Sequence, residues 1–225
     1  MDSARISALL EPFLASPLSQ MQLQQVSTYI DMLLRWNARI NLTAIRNEEE
    51  IVTRHFGESL FLARHIFPDH ADISGVQAKE EVNGGEAARV LDIGSGAGFP
   101  ALPLKIYSSP IHLTMIESTH KKAAFLREVA RALTLTNVDV IAERAETIDE
   151  SQAFPRAQVV TFRAVENFDQ TLKQAAALVS PKGNLALLIS ANQVQRLDLV
   201  SGVTWTPPIP IPRSKARVVS IGQKN

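Results

Sequence analysis

Short apolar runs alternate with helical stretches from Arg89 onwards, and this alternation constrains the fold more than any other feature of the sequence. The runs are nearly continuous in apolar residues, and the clearest helical stretches between them are 121–133 and 170–179. Such a pattern predicts a parallel sheet covered by helices on both faces, with ligands bound at the carboxyl ends of the strands. The predicted strands are 90–93, 111–116, 138–142, 158–162 and 184–189, with a final strand at 218–221.

The residues before this alternation are predicted to form helices. Ser19 can cap a helix in which apolar residues recur at helical spacing, and Asn47 followed by three glutamates marks a second helix start. The stretch 69–88 is polar and contains glycine, as loops do. We therefore predict an N-terminal helical cap at 1–68, a loop or linker at 69–88, and a Rossmann-like domain at 89–225.

The amino-acid composition excludes several kinds of catalytic and metal-binding site. The 225 residues include no cysteine, which excludes disulfides, thiolate metal sites and a cysteine nucleophile. No apolar run approaches the length of a membrane span, so we expect a cytoplasmic protein with no membrane partner and no metal. The net charge is zero, yet the last stretch of the chain holds Arg213, Lys215, Arg217 and Lys224 with no acidic residue beside them. A polyanion could bind there, or these side chains could form an ordinary solvated surface.

Three alternating glycines follow the first predicted strand, in the sequence VLDIGSGAGFP at 90–100. Gly94 and Gly96 can adopt positive φ angles or allow a ligand to approach the backbone closely. A dinucleotide fingerprint would have a further glycine where Phe99 stands. Asp92 precedes the loop, and a carboxylate there suits a ligand with an ammonium and a sulfonium better than a pyrophosphate. The loop therefore favours S-adenosylmethionine over NAD or FAD.

Two further acidic residues follow the next two predicted strands. Glu117 lies 23 positions beyond Gly94, where a carboxylate can accept both hydroxyls of a ribose. Glu146, in the sequence RAE at 144–146, could accept a hydrogen bond from an adenine amino group. We predict the class I S-adenosylmethionine-dependent methyltransferase fold, in which the sheet is mainly parallel and has seven strands. A simple tight turn and a dinucleotide site remain the alternatives.

The sequence also limits which kinds of atom could accept the methyl group. Methylation of cytosine C5 by covalent catalysis needs a cysteine, and exocyclic amines are commonly held by an Asn/Asp-Pro-Pro-aromatic turn after the fourth strand. Here that position reads TFRA at 161–164. A ring nitrogen such as guanine N7 is the simplest remaining acceptor, because no proton leaves and positioning supplies most of the catalysis. We therefore predict no catalytic dyad and name no catalytic residue.

The chain resembles the bacterial small-subunit rRNA guanine-N7 methyltransferase family, also known as the glucose-inhibited division protein B family. The resemblance covers most of the chain. It is carried by WNARINLTAIR at 36–46, RHF at 54–56 with ESL at 58–60, DIGSGAGFP at 92–100, IES at 116–118 with KKAAFLR at 121–127, RAE at 144–146 and RAV at 163–165.

The resemblance implies S-adenosylmethionine as cofactor and one guanine of the decoding-region (530) loop of 16S rRNA, within the small ribosomal subunit, as acceptor. It implies that the N-terminal helices cap the Rossmann-like domain and help to form the RNA-facing surface. One departure concerns the end of the fifth strand, where the family usually has Lys-Gly and this chain has ISAN at 189–192. The implied cofactor-binding residues, with Glu117 at the ribose, are Gly94, Gly96, Phe99, Glu117, Ala145, Glu146 and Arg163.

Two other functions remain open on the sequence alone. The chain could methylate a small molecule or another RNA position, or it could be a non-catalytic module that binds RNA or a nucleotide. The glycine loop together with Glu117 and Glu146 argues against the non-catalytic module. Two side chains carry their own alternatives: Arg163 could reach the cofactor or a phosphate or form a local ion pair, and His55 is predicted to be a packing histidine that could instead contact RNA.

Overall fold

The computed structural model describes residues 1–68, 87–147 and 155–225. Its centre is a mixed sheet, which within these residues has eight strands. They are β1 (Arg89–Ile93), β2 (His112–Ile116), β3 (Val138–Ile141), β4 (Ala157–Arg163), β5 (Val179–Ser190), β6 (Val203–Trp205), β7 (Ile209–Pro210) and β8 (Arg217–Lys224).

Seven of these strands follow one path in the order β3-β2-β1-β4-β5-β8-β6, and the two-residue β7 pairs beside β8. Strands β1 to β5 are parallel, whereas β6, β7 and β8 are joined by antiparallel pairings. The strand order reverses between β1 and β4, which creates a crevice at the carboxyl ends of those strands. The predicted Rossmann-like α/β fold with a mainly parallel sheet is thereby confirmed.

The helices lie before the sheet and between its strands. The α-helices are α1 (Ser3–Leu10), α2 (Gln20–Asn37), α3 (Glu48–Glu50), α4 (Glu58–Ile66), α5 (Ala101–Tyr107), α6 (His120–Ala132) and α7 (Phe168–Leu178). A π-helical segment, Ile51–Gly57, joins α3 to α4, and 3-10 helices span Glu11–Phe13, Ala145–Thr147 and Ala191–Leu199.

Both predicted helix starts near the N-terminus are confirmed. Ser19 caps α2, and its side chain and that of Gln22 satisfy each other's backbone N–H groups in a capping box. The Asn47 side chain accepts a hydrogen bond from the Glu50 backbone N–H at 3.0 Å, with three acidic side chains in the first turn. The predicted linker 69–88 lies outside the described residues except for 87 and 88, so the three-part division stays a prediction.

The core has two parts, one on each face of the sheet. On one face, buried residues of α1 to α4 share a hydrophobic cluster with α5 and α6 and with side chains of β1 and β2 such as Val90 and Leu113. On the other face, Leu172 of α7 belongs to a second hydrophobic cluster together with Leu91, Ile93 and Phe162. The N-terminal helices therefore complete one helical layer of the sandwich. Among the described helices, none is both long and apolar enough to cross a membrane.

Candidate active site

A cavity of about 690 Å³ opens at the carboxyl ends of β1, β2 and β4. Its opposite wall comes from the N-terminal half of the chain, where Leu42–Ile45, Arg54 and His55 line it. The volume lies within the range of roughly 300–1,000 Å³ that is usual for cofactor and small-molecule sites. The cavity thus has two halves, one formed by strand ends and one formed by the N-terminal cap.

The glycine loop forms the floor of the strand-end half. Gly94, Gly96 and Gly98 all have positive φ angles, of 68°, 54° and 87°. The N–H groups of Gly94 and Ser95 donate to the Ile116 carbonyl at 2.9 and 3.0 Å, which holds the loop across the end of β2. A Cβ atom at Gly98 would overlap the Tyr29 hydroxyl, so this position requires glycine for space as well as for conformation.

The Glu117 carboxylate is fixed at the cavity wall by two backbone donors. Gly96 N–H donates to Oε2 and Thr119 N–H donates to Oε1, both at 2.8 Å. The side chain is only 5% exposed. Each carboxylate oxygen keeps a free lone pair, so the group can accept two further hydrogen bonds without turning.

Asp92 lies behind the glycine loop, and its carboxylate does not line the cavity. Neither carboxylate oxygen has a hydrogen-bond partner among the described residues, and the Ser95 hydroxyl donates to the Asp92 backbone carbonyl. Burial, reinforced by the Glu117 charge, raises the pKa of Asp92 to about 7. The expectation that this carboxylate faces a cationic ligand is not supported, because it lies on the side of β1 that packs against the N-terminal helices.

Phe99 joins the loop to the cap. Its ring stacks on Tyr29 with centroids 5.3 Å apart and on His55 with centroids 4.6 Å apart, and it meets the edge of Phe56 at 5.2 Å. The residue is 7% exposed and also lines the cavity. Three rings from the N-terminal half of the chain thereby hold the end of the glycine loop in place.

Tyr29 of α2 is a second link between cap and loop. Its hydroxyl donates a short hydrogen bond to the Ala97 carbonyl, and the side chain is completely buried. Burial and the nearby Asp92 raise the pKa of Tyr29 well above its usual value, so the phenol stays a donor. The sequence analysis did not identify this residue. Its place among the apolar residues of α2, three after Val26, was the available signal that a polar tip is buried there.

A buried carboxylate forms ion pairs with two arginines beside the cavity. Glu58 of α4 is 2% exposed; its Oε2 lies 3.2 Å from Arg163 Nη2, and its Oε1 lies 2.5 Å from Arg217 Nη2. Arg217 Nε also donates to Oε1 at 2.8 Å. We call these three residues the Glu58 cluster. Arg163 is the last residue of β4 and lines the cavity. It therefore forms a local ion pair and also lies at the candidate site, as each of the two predictions for it required.

His55 lies in the π-helical segment and lines the same wall. Its Nε2 is 2.8 Å from Thr43 Oγ1, which accepts a hydrogen bond from the Ile45 N–H. Burial, followed by the charges of Arg163, Arg54 and Arg217, lowers the pKa of His55 to about 3. The imidazole is therefore neutral at physiological pH and a poor base. His55 is a packing residue, as predicted, and its side chain forms part of the cavity wall.

Six of the seven predicted cofactor-binding residues line this one cavity: Gly94, Gly96, Phe99, Glu117, Ala145 and Arg163. The seventh, Glu146, belongs to the 3-10 helix Ala145–Thr147, and its side chain lies outside the described part of the chain. Their contacts to a cofactor stay a prediction. Sequence reasoning missed Tyr29 and the joining role of Glu58, which depends on residues up to 159 positions away.

Known proteins resemble this chain in sequence and in fold. A ribosomal RNA small subunit methyltransferase G from Chloroflexus aggregans is 37% identical over 214 residues, which cover 91% of this chain and 83% of that protein. The protein of the same name from Bacillus subtilis is 32% identical over 80% of this chain and 70% of its own length. The solved structure of the putative methyltransferase yhhF from Escherichia coli superposes with a TM-score of 0.53 at 12% identity, over 73% of this chain and 85% of that one. Residues 22–198 match the family described as rRNA small subunit methyltransferase G, and the chain belongs to that family.

Proposed function

We propose that this protein transfers the methyl group of S-adenosylmethionine to N7 of a guanine in the decoding-region (530) loop of 16S rRNA. Family membership supports the reaction class. The observation that carries the proposal is a shared cavity, in which the strand-end residues Gly94 and Glu117 face the cap residues Thr43 and His55. A cofactor and an acceptor bound in the two halves would meet between the walls.

The strand-end half fits S-adenosylmethionine. Glu117 has its free lone pairs fixed in position for the two ribose hydroxyls. Gly94, with a φ of 68°, lets a ligand approach the loop backbone, and Ala145 lines the place proposed for the adenine. Arg163 offers a cation for the methionine carboxylate. When bound, the cofactor supplies an electrophilic methyl group on a positively charged sulfur.

The cap half favours an acceptor that loses no proton. His55 is a poor base because its pKa is lowered to about 3, and Glu58 is already paired with two arginines. Guanine N7 attacks through an in-plane lone pair and needs no general base. The protein then acts by holding the purine in line with the methyl group and by excluding water, which is how positioning lowers a barrier.

The test is methyl transfer from tritiated S-adenosylmethionine to 30S subunits that lack the modification, with the labelled nucleotide mapped by borohydride–aniline cleavage. We expect label at one guanine of the 530 loop. Gly94→Asp should abolish both the label and cofactor binding measured by calorimetry, since Gly94 lines the cavity and a side chain there would take up space beside Val165. Gly202→Asp is the matched control, because Gly202 also has a positive φ but nothing lies within 4 Å of its would-be Cβ.

The possible outcomes distinguish a failure of the proposed cofactor site from a failure of the proposed methyl acceptor. Label at another nucleotide would retain the methyltransferase and reject the proposed position. Cofactor binding without any label on 30S subunits or on deproteinised 16S rRNA would reject the rRNA substrate and direct the search to small-molecule acceptors. Equal loss of activity in Gly94→Asp and Gly202→Asp would reject the cavity as the cofactor site.

A further inference from the structure

The segment 213–217 lies at the same edge of the sheet as the cavity. Strand β5 runs parallel to β4 and ends at Ser190, which is paired with Arg217 at the start of antiparallel β8. The Ala191 N–H donates to the Ala216 carbonyl at 2.8 Å. The loop that precedes β8 therefore sits beside the carboxyl ends of the parallel strands, where the cavity opens.

This loop presents fixed positive charge. Arg213 and Lys215 are exposed, and no acidic residue occurs between 211 and 217. The Ser214 hydroxyl accepts a hydrogen bond from the Arg217 N–H at 3.1 Å, and the Ile211 N–H donates to the Arg217 carbonyl at 3.2 Å. These bonds close the segment into a compact turn, so its cations project from an ordered backbone.

The Glu58 cluster connects the turn to the cavity wall. One oxygen of Glu58 holds Arg217, the last residue of the turn, and the other faces Arg163, which lines the cavity. The neighbouring end of β5, with Ser190, Ala191 and Asn192, carries no charge. The remaining cation within 190–217, Arg196, is paired with Asp169 at 2.5 Å, whereas Arg213 and Lys215 form no ion pair among the described residues.

The cap supplies cations on the other side. Arg46 is exposed and donates to the Thr43 carbonyl at 2.6 Å, next to the residues that line the cavity. Arg54 lines the cavity itself and pairs with Glu50 at 3.0 Å. The chain as a whole has zero net charge, so an attraction for a polyanion has to come from local placement of this kind.

We propose that the 213–217 turn binds the sugar-phosphate backbone of the acceptor RNA beside the nucleotide that enters the cavity. Arg213 and Lys215 contact phosphates. Arg217 pairs with Glu58, which also pairs with Arg163, and so connects the turn to the cavity wall. Contacts of this type fix the register of a nucleic acid without reading its sequence. The inference rests on the proposed rRNA substrate and adds to it the surface that holds the RNA.

The experiment compares two double variants that remove the same charge. Arg213→Gln/Lys215→Gln removes it from the turn. Arg131→Gln/Lys182→Gln removes it from the opposite edge of the sheet, since Arg131 lies in the last turn of α6 and Lys182 near the start of β5. Binding to deproteinised 16S rRNA is measured by filter retention from about 50 to about 200 mM salt. Affinity for S-adenosylmethionine is measured in parallel by calorimetry.

Two lost phosphate contacts should reduce the slope of log K against log salt by about 1.4, at roughly 0.7 for each contact to single-stranded RNA. The control pair should leave the slope unchanged, and both pairs should keep the cofactor affinity of the wild type. An unchanged slope in the turn variant, or an equal change in both pairs, overturns the proposal. Wild-type protein that binds cofactor but neither binds nor methylates rRNA overturns the proposed function itself, and this inference with it.

Discussion

The two halves of the cavity are built in different ways. The strand-end half uses backbone groups and single side chains that follow consecutive strands, such as the N–H of Gly96 and the carboxylate of Glu117. The cap half is tied to the strand ends by side chains brought together from distant segments, since Glu58 of α4 pairs with Arg163 at the end of β4 and with Arg217 at the start of β8. The first half depends on local conformation, whereas the second depends on the charges of its members being balanced in a buried place.

This difference predicts which substitutions each half tolerates. A backbone-built site is damaged mainly by atoms that fill its space or by residues that cannot adopt its φ angles. A site built from buried charges is damaged mainly when one partner is removed, because the remaining charges are left without compensation. Three predictions follow from these two rules.

The largest effect is expected at the buried carboxylate. Glu58→Gln leaves Arg163 and Arg217 without their counter-charge, and we expect a loss of about 3 kcal/mol in the free energy of unfolding, measured by urea denaturation. Arg217 is 29% exposed, which keeps the loss at the lower end for a broken buried pair. Glu50→Gln is the control: it breaks the exposed pair with Arg54, worth at most about 1 kcal/mol. Similar losses in both variants would mean that the cap half is no more charge-dependent than the surface.

The glycine loop provides the next largest effect. Gly98→Ala introduces a Cβ that lies 2.7 Å from Leu102 Cδ1 and meets the Tyr29 hydroxyl, whereas the nearest atom to a Cβ at Gly96 is 3.8 Å away. Both positions have positive φ, so the backbone penalty is shared and the difference reports packing. We expect Gly98→Ala to lose about 2 kcal/mol more than Gly96→Ala in urea denaturation. Equal stabilities would show that Tyr29 moves away at little cost.

The third prediction, of about the same size as the glycine-loop effect, concerns the pH dependence of stability. Burial holds the pKa of Asp92 at about 7 in the folded protein, against 3.8 for an ordinary aspartate, so the folded state keeps its proton longer than the unfolded chain does. Stability from this group therefore falls as pH rises from about 4 to about 7 and is constant above that. Between pH 5.5 and 8.5 the wild type should lose about 2 kcal/mol relative to Asp92→Asn.

Asp198→Asn, at an exposed position, is the control for that comparison. It should follow the pH dependence of the wild type. If Asp92→Asn also follows the wild type, burial does not hold a proton on the Asp92 carboxylate, and the loop does not lie against an unpartnered acid.

The same contrast decides what the sequence could predict. The five parallel strands, the glycine loop and the positions of Glu117 and Ala145 follow from local patterns, since each lies within a few residues of an apolar run. Strand β6 and the π-helical turn at His55 gave no such local signal. The Glu58 cluster could not be predicted because Glu58 lies more than a hundred positions from either arginine and only the folded chain brings the three residues together. Asp92 was placed correctly at the end of the strand, but its carboxylate does not line the cavity where a cationic ligand was expected to meet it.

The stack of Phe99 on Tyr29 and His55 also bears on attempts to shorten the protein. A fragment that starts at β1 would lack both rings that stack on Phe99, leave the Ala97 carbonyl without its donor and leave empty the space beside Gly98 that the tyrosine hydroxyl fills. The strand-end half therefore cannot be excised with its loop conformation intact. Grafting this loop onto another scaffold would also require a helix that presents a ring to Phe99 and a hydroxyl donor to the Ala97 carbonyl, as α2 does with Tyr29.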